Sequence, residues 1–222
     1  MAQLFSLGVM ACHMNMPVFL RLILLFALGC TSLSSAIAQT LTTNFDTNRS
    51  SLYHRETAQE RYDRVMNDFT NADSEEARFY GIGSAAKASF DVGKIEDARK
   101  YAQELMTLLP KYQKTETNWD LGNAIQDANI VFGRIAVREG RIEDAKHYLI
   151  EAGKSPGSAV MDSFGPNMSL AKDLLEKGER DVVIEYFGLC REFWSFHNDK
   201  LDEWSQDVKA GRIPKFGANL IY

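Results

Sequence analysis

The sequence predicts an all-α domain, and three observations carry that reading. Apolar residues recur at helical spacing: Ala58, Tyr62, Val65 and Phe69 step by four, three and four, and Phe79, Ile82, Ala86 and Phe90 by three, four and four. No sustained period-2 run of Val, Ile and Thr marks a strand. The five prolines, at 17, 110, 156, 166 and 214, fall near the N-terminus or at segment ends, where helices tolerate them.

Taken in order, the chain begins with a stretch unlike the rest. Residues 1–38 hold no Asp or Glu and one cation, Arg21. The segment "VFLRLILLFALGC" (18–30) is strongly apolar, but thirteen residues with an Arg inside fall short of the about 20 that cross a bilayer. A short apolar run followed by Ala36-Ile37-Ala38 has the layout of a secretory signal, with cleavage expected after Ala38. A start at Met14 or Met16 would put Arg21 in the leader's basic region. The tetrapeptide "ALGC" (27–30) also resembles a bacterial lipobox, with Ala27 and Leu28 in swapped order. On that alternative Cys30 carries a lipid anchor. Both readings imply export, to the periplasm or outside the cell.

Removing residues 1–38 leaves 184 residues, enough for one domain with a real core. The net charge of −5 becomes −6 when Arg21 leaves. A mildly acidic chain without a basic stretch argues against a nucleic-acid partner. Of Cys12, Cys30 and Cys190 only Cys190 remains, so no internal disulfide is expected. No transmembrane span is expected in the mature chain.

Residues 39–50 are polar and read as a linker, and the helical domain is expected over 51–222. Seven helices are predicted near 49–70, 74–91, 95–109, 116–138, 142–153, 167–177 and 180–197, with an eighth near 199–210. Leu201, Trp204 and Val208 give that last helix one apolar side. Beyond Gly211, the residues Ile213, Phe216, Leu220, Ile221 and Tyr222 suit a strap folding back, so 198–222 reads as a C-terminal cap.

Two segments are near copies. "GKIEDARKYA" (93–102) and "GRIEDAKHYL" (140–149) share Gly, Ile, Glu, Asp, Ala and Tyr at the same places. A third copy after Gly178 is degenerate, keeping Val183, Tyr186 and Cys190 at the offsets of Ala98, Tyr101 and Leu105. Small Ala98 and Ala145 are expected where paired helices cross. Glu-Asp in the first turn suits the positive end of the helix dipole. Glycines 93, 140 and 178 are expected at φ > 0, closing one helix so that the next folds back.

This pattern resembles the tetratricopeptide repeat, over about residues 74–197. Phe132-Gly133 matches the Leu-Gly place of that family's first helix, and Leu170-Ala171 is a weaker counterpart. The glycines lie 47 and then 38 residues apart, against a family period of about 34. The resemblance implies antiparallel helix pairs in a short right-handed solenoid. The tail "FWSFHNDKLDEW" and the stretch 155–172 are also similar to uncharacterised bacterial proteins with such repeats.

No strong catalytic, metal or cofactor motif is present. "GIGSAA" (81–86) matches a dinucleotide fingerprint but follows a helical segment instead of a strand, so its small residues are expected to permit close helix packing. Cys190 and His197 lie seven apart, which would put both on one face of the helix predicted near 180–197. A thiol enzyme is therefore an alternative, against a buried, inert Cys in the small-residue slot. His197, Asp199, Asp202 and Glu203 read as solvated helix-end charges before they read as metal ligands. His54 and His147 sit among charged residues.

The more informative surface is the amide-rich helix "NWDLGNAIQDANIVFGR" (118–134). Asn and Asp are mediocre helix formers, so Asn123, Asp127, Asn129 and Arg134 are candidates to line a groove for a protein or peptide partner. The bland alternative is that they bond neighbouring helices. A self-associating envelope subunit is a third possibility.

Overall fold

A computed structural model describes residues 56–113 and 121–221. The export signal, Ala38, Cys30, the 39–50 linker, His54 and Tyr222 lie outside the described residues, as does the start of the helix predicted from 116. Among the described residues the fold is all-helical, with nine α-helices, one 3-10 turn and no strand. No helix among them is long and apolar enough to cross a membrane.

Helix α1 (Ala58–Thr70) starts at a capping box. Thr57 Oγ1 accepts from Glu60 N at 3.2 Å, and the Glu60 carboxylate accepts from Thr57 N at 2.8 Å. Helix α2 (Glu75–Asp91) is capped by Ser74, which accepts from Ala77 N at 3.1 Å. Helix α3 (Ile95–Tyr112) runs past the predicted end at 109. Pro110 sits in its last turn, where it forfeits only the bond to Met106 O, and Met106 is exposed. Helices α4 (Leu121–Arg138) and α5 (Ile142–Gly153) follow.

A short helix α6 (Ala159–Phe164), capped by Ser158, lies between the helices predicted at 142–153 and 167–177. Helices α7 (Ser169–Glu176), α8 (Arg180–Cys190) and α9 (Lys200–Lys209) complete the set. The segment expected to be helical to 197 stops at Cys190 and continues as turns. Asn198 and Asp199 there take positive φ, a conformation their short side chains tolerate.

The three repeat glycines do one job three times. Gly93, Gly140 and Gly178 have φ of 80°, 77° and 88°. The amide after each bonds back to the same place in the preceding helix: Lys94 N to Ser89 O, Arg141 N to Ala136 O, Glu179 N to Leu174 O, at 2.9, 2.9 and 3.0 Å. Each is a Schellman closure, which needs a left-handed residue that glycine supplies without a Cβ clash.

Side-chain pairs fix the directions of the helices. Glu75–Lys111, Arg78–Glu104 and the Phe79–Tyr112 stack make α2 and α3 antiparallel. Phe132 on Tyr148, with Ser155 Oγ donating to Gly122 O, does the same for α4 and α5. Across pairs, α2, α4 and α7 run parallel, joined by Lys87–Asp127, Asp91–Arg134 and Arg134–Asp173. Helices α5 and α8 also run parallel, through Lys146–Glu179 and Gly153 against Tyr186.

The repeated positions form the core. Ala98, Ala145 and Val183, five places after the glycines, are fully buried, as are Leu105, Ala152 and Cys190 at the twelfth. Burying such side chains contributes about 1.5–3 kcal/mol each for the larger ones, against ordering entropy. Helix α9 lays Leu201, Trp204 and Val208 on this core. The segment after Gly211 returns across it with Phe216 buried against Phe187 and Trp204.

Candidate partner-binding groove

One face of α2 and α4 is left uncovered by their partner helices. Along α4 the 3.6-residue period brings Asn123, Asp127 and Arg134 to that face. Between α2, α4 and α6 lies a cavity of about 240 Å³, lined among others by Phe79, Tyr80, Lys87, Asn123, Asp127 and Phe164. A second cavity of about 260 Å³ adjoins it and shares Ser84 and Lys87; Arg61, Arg64, Arg134 and Ile221 also line it. Together they are the candidate groove.

Apart from Arg64, which pairs with Glu56 ahead of its own helix, the charges of the groove are spent between helices. Lys87 Nζ donates to Asp127 Oδ1 at 2.7 Å. Arg134 holds Asp91 at 2.8 Å with one nitrogen and Asp173 at 2.9 Å with another, over the ring of Phe90. Asp91 also accepts from Arg61 at 3.2 Å. A chain of ion pairs therefore runs from α1 through α2 and α4 to α7, each member only partly exposed. Gly83 makes room for the Asp127 carboxylate: a Cβ there would stand 2.5 Å from Asp127 Oδ2. "GIGSAA" thus lies inside α2 as a packing surface.

Of the four sequence candidates, three reach the groove. Asn123 lines it and accepts from Ser158 Oγ at 2.7 Å. Asp127 and Arg134 line it while bridging helices. Asn129 does not: it is 6% exposed and its Nδ2 donates to Ile125 O, 2.8 Å away in its own helix.

What the sequence candidates leave out is the apolar rim. Tyr80, Val160 and Phe164 line the first cavity and are 41%, 49% and 57% exposed. Two of them stand on α6. The signal was present in "SAVMDSFG": a Ser cap, apolar residues at 160, 161 and 164, and a terminal Gly. Under the rim, Gln126 bridges two elements: its Oε1 accepts from Asn167 N at 2.9 Å and its Nε2 donates to Tyr186 Oη at 3.3 Å.

Cys190 and His197 are not on one helix face, because α8 ends at Cys190. The thiol is fully buried, and burial pushes its pKa well above the usual value. Tyr186, also fully buried, is raised for the same reason. A thiolate nucleophile needs the opposite environment. Asp202 pairs with Arg191 at 2.6 Å, and among the described residues no group of three His, Cys, Asp or Glu is arranged to hold a metal.

Comparison with protein-family models, with curated proteins and with solved structures finds no match to this chain.

Proposed function

We propose that this protein is a recognition module that holds an extended protein or peptide segment in the groove of α2, α4 and α6. The observation that carries the reading is the rim: three large apolar side chains stand exposed around one cavity of about 240 Å³. Exposed apolar groups gathered at a concavity suit an apolar anchor residue of a partner. The ion pairs below keep the floor rigid and add little attraction of their own.

The scaffold on this reading is a set of tetratricopeptide-like helix pairs, α2/α3, α4/α5 and α7/α8, in a short right-handed solenoid with α9 and the strap as its cap. Three aligned Schellman glycines and the parallel run of alternate helices support it. Delivery would follow the secretory signal over 1–38, releasing the domain or anchoring it through Cys30, so the partner is an envelope or extracellular protein.

A random-peptide display selection on the purified chain tests the function. Enriched sequences should share a bulky apolar residue. The double variant Val160→Ser, Phe164→Ser should weaken them about tenfold or more, as loss of an anchor contact does. Met106→Ser removes an equally isolated exposed apolar group outside the groove and should change nothing. Enriched peptides that bind the double variant as tightly as the parent chain would place recognition elsewhere.

A further inference from the structure

One lip of the groove is not held by its own helix. Phe164 ends α6, six residues long and too short to be stable alone. Its carbonyl accepts from Asn219 Nδ2 at 3.1 Å, and the same amide donates to Pro166 O at 3.0 Å. The Asn219 carbonyl accepts in turn from Met168 N at 2.6 Å. Asn219 is 3% exposed and belongs to the 3-10 turn Gly217–Leu220 of the C-terminal strap. The loop 164–168 is therefore tied three times to one strap residue more than fifty positions away.

The same loop reaches the groove floor. Asn167 N donates to Gln126 Oε1, Tyr186 Oη donates to Asn167 O at 3.0 Å, and Gln126 lines the cavity. Space is tight throughout: a Cβ on Gly165 would lie 2.5 Å from the Trp194 ring and 2.7 Å from Asn219 Nδ2. Strap, lip and floor form one connected unit, yet none of the residues lining the first cavity belongs to the strap.

We propose that the C-terminal strap is a latch that assembles the groove, with Asn219 as the positioning residue for the Phe164 lip. This rests on the groove being the recognition site. With the strap docked, Phe164 stands against the cavity and Gln126 is held beneath it. With the strap released, the lip and the loop behind it lose their place and the anchor pocket opens. A ligand that fills the pocket favours the docked strap, because both require the same loop conformation, and the coupling is reciprocal.

The test uses the full chain and the peptides selected on it. Asn219→Asp is nearly isosteric but replaces a two-fold donor with oxygen facing two carbonyls. Asn219→Ala is the gentler second variant, and Ile213→Ser, on an exposed strap residue, is the control. Hydrogen exchange in Asn219→Asp should quicken about tenfold or more over 159–169 and stay at the parent rate over 75–112, as local opening requires. Peptide affinity should fall about tenfold as well. In the parent chain, bound peptide should slow exchange at 217–219, which line neither cavity of the groove, and a merely structural Asn219 would not produce that. Unchanged exchange over 159–169, quickening spread evenly over the domain, or full peptide affinity with an open loop would each overturn the latch. If the parent chain selects no peptide, the groove reading fails, and the exchange pattern alone still decides whether Asn219 holds the loop.

Discussion

Alanine placed at two helical glycines should move stability in opposite directions. Gly122, in the first turn of α4, lies under the turn that follows α5: a Cβ there would stand 1.9 Å from Gly157 O and 2.3 Å from its carbonyl carbon. Phe193 packs closely on Gly157 as well: a Cβ built there would meet Phe193 Cβ at 2.4 Å. Separating the chains also breaks the buried bond from Ser155 Oγ to Gly122 O, 2.8 Å long. Overpacking costs about 1–3 kcal/mol and a lost buried hydrogen bond about 1–3 kcal/mol, against a helix-propensity gain of at most about 1 kcal/mol. Gly122→Ala should therefore lose about 2–4 kcal/mol, lowering the melting temperature by about 5–15 °C for a domain of this size. Gly188, in α8, is exposed, and nothing lies within 4 Å of its Cβ position. Gly188→Ala keeps only the propensity gain and should raise the melting temperature by about 1–3 °C. Thermal melts of the two variants beside the parent chain check both signs. A Gly122→Ala variant that melts with the parent, or two shifts of the same sign, would refute the packing of α4 against residues 155–157.

Other outcomes follow from single features. Ala145→Glu puts an unpaired carboxylate at a fully buried crossing and should cost about 3 kcal/mol or more in a urea titration. Lys146→Glu, at the surface beside Glu143 and Glu179, should cost no more than about 1 kcal/mol, and equal midpoints for the two would overturn the repeat register. Cys190 should react with a thiol reagent only in denaturant; rapid labelling in native buffer would contradict its burial. Burial raises Cys190 above its ordinary 9.0 and Tyr186 above 10.0, so both stay neutral in the fold while ionising in the unfolded chain. Stability is then full below the unfolded values and falls as pH rises past about 9, which urea midpoints between about pH 7 and 10.5 would show. Asp162 is held below its ordinary 3.8 by the Ser195 hydroxyl and amide, so its contribution is present above that pH and fades in acid, and Asp162→Asn should flatten that limb. Because the groove's ion pairs are internal, raising salt from about 0.05 to about 0.5 M should change peptide affinity by less than about threefold, whereas a charge-reading groove would weaken far more.

How much of this was legible in the sequence depended on what each feature repeats. The glycines at 93, 140 and 178 and the residues five, eight and twelve places after them were readable because they recur, and recurrence separates a built register from an accidental helix stripe. Helix ends were less readable. Nothing local stops a helix at Cys190: Phe193 and Trp194 continue an apolar pattern, but beyond the break Trp194 packs on Trp204 of α9 and Phe193 on Gly157. Pro110 misled in the other direction, since proline in a last turn loses one bond only. Helix α6 was hidden because six residues carry too little periodicity to rise above a loop, although its cap and its terminal glycine were both written out. Asn129 shows the limit of composition: the same amide that marks α4 as unusual turns inward and bonds its own backbone.

The polar helix and the apolar rim therefore exchange the roles that residue type alone would assign. An amide-rich, charged α4 looks like the recognition surface, but its Asp127 is matched to Lys87 of α2 and its Arg134 to Asp91 of α2 and Asp173 of α7. A partner that displaced Asp91 or Asp173 would strand Arg134 in a half-buried place, at a desolvation cost that a new ion pair recovers only in part. Binding through those charges would thus be opposed by the fold's own geometry. Apolar contact at Tyr80, Val160 and Phe164 removes exposed apolar surface, which is favourable at about 25 cal/mol per Å². Two of the three rim residues stand on the short helix α6, whose last carbonyl accepts from Asn219 of the strap. A fold whose repeated positions are committed to packing can acquire specificity there without disturbing its core.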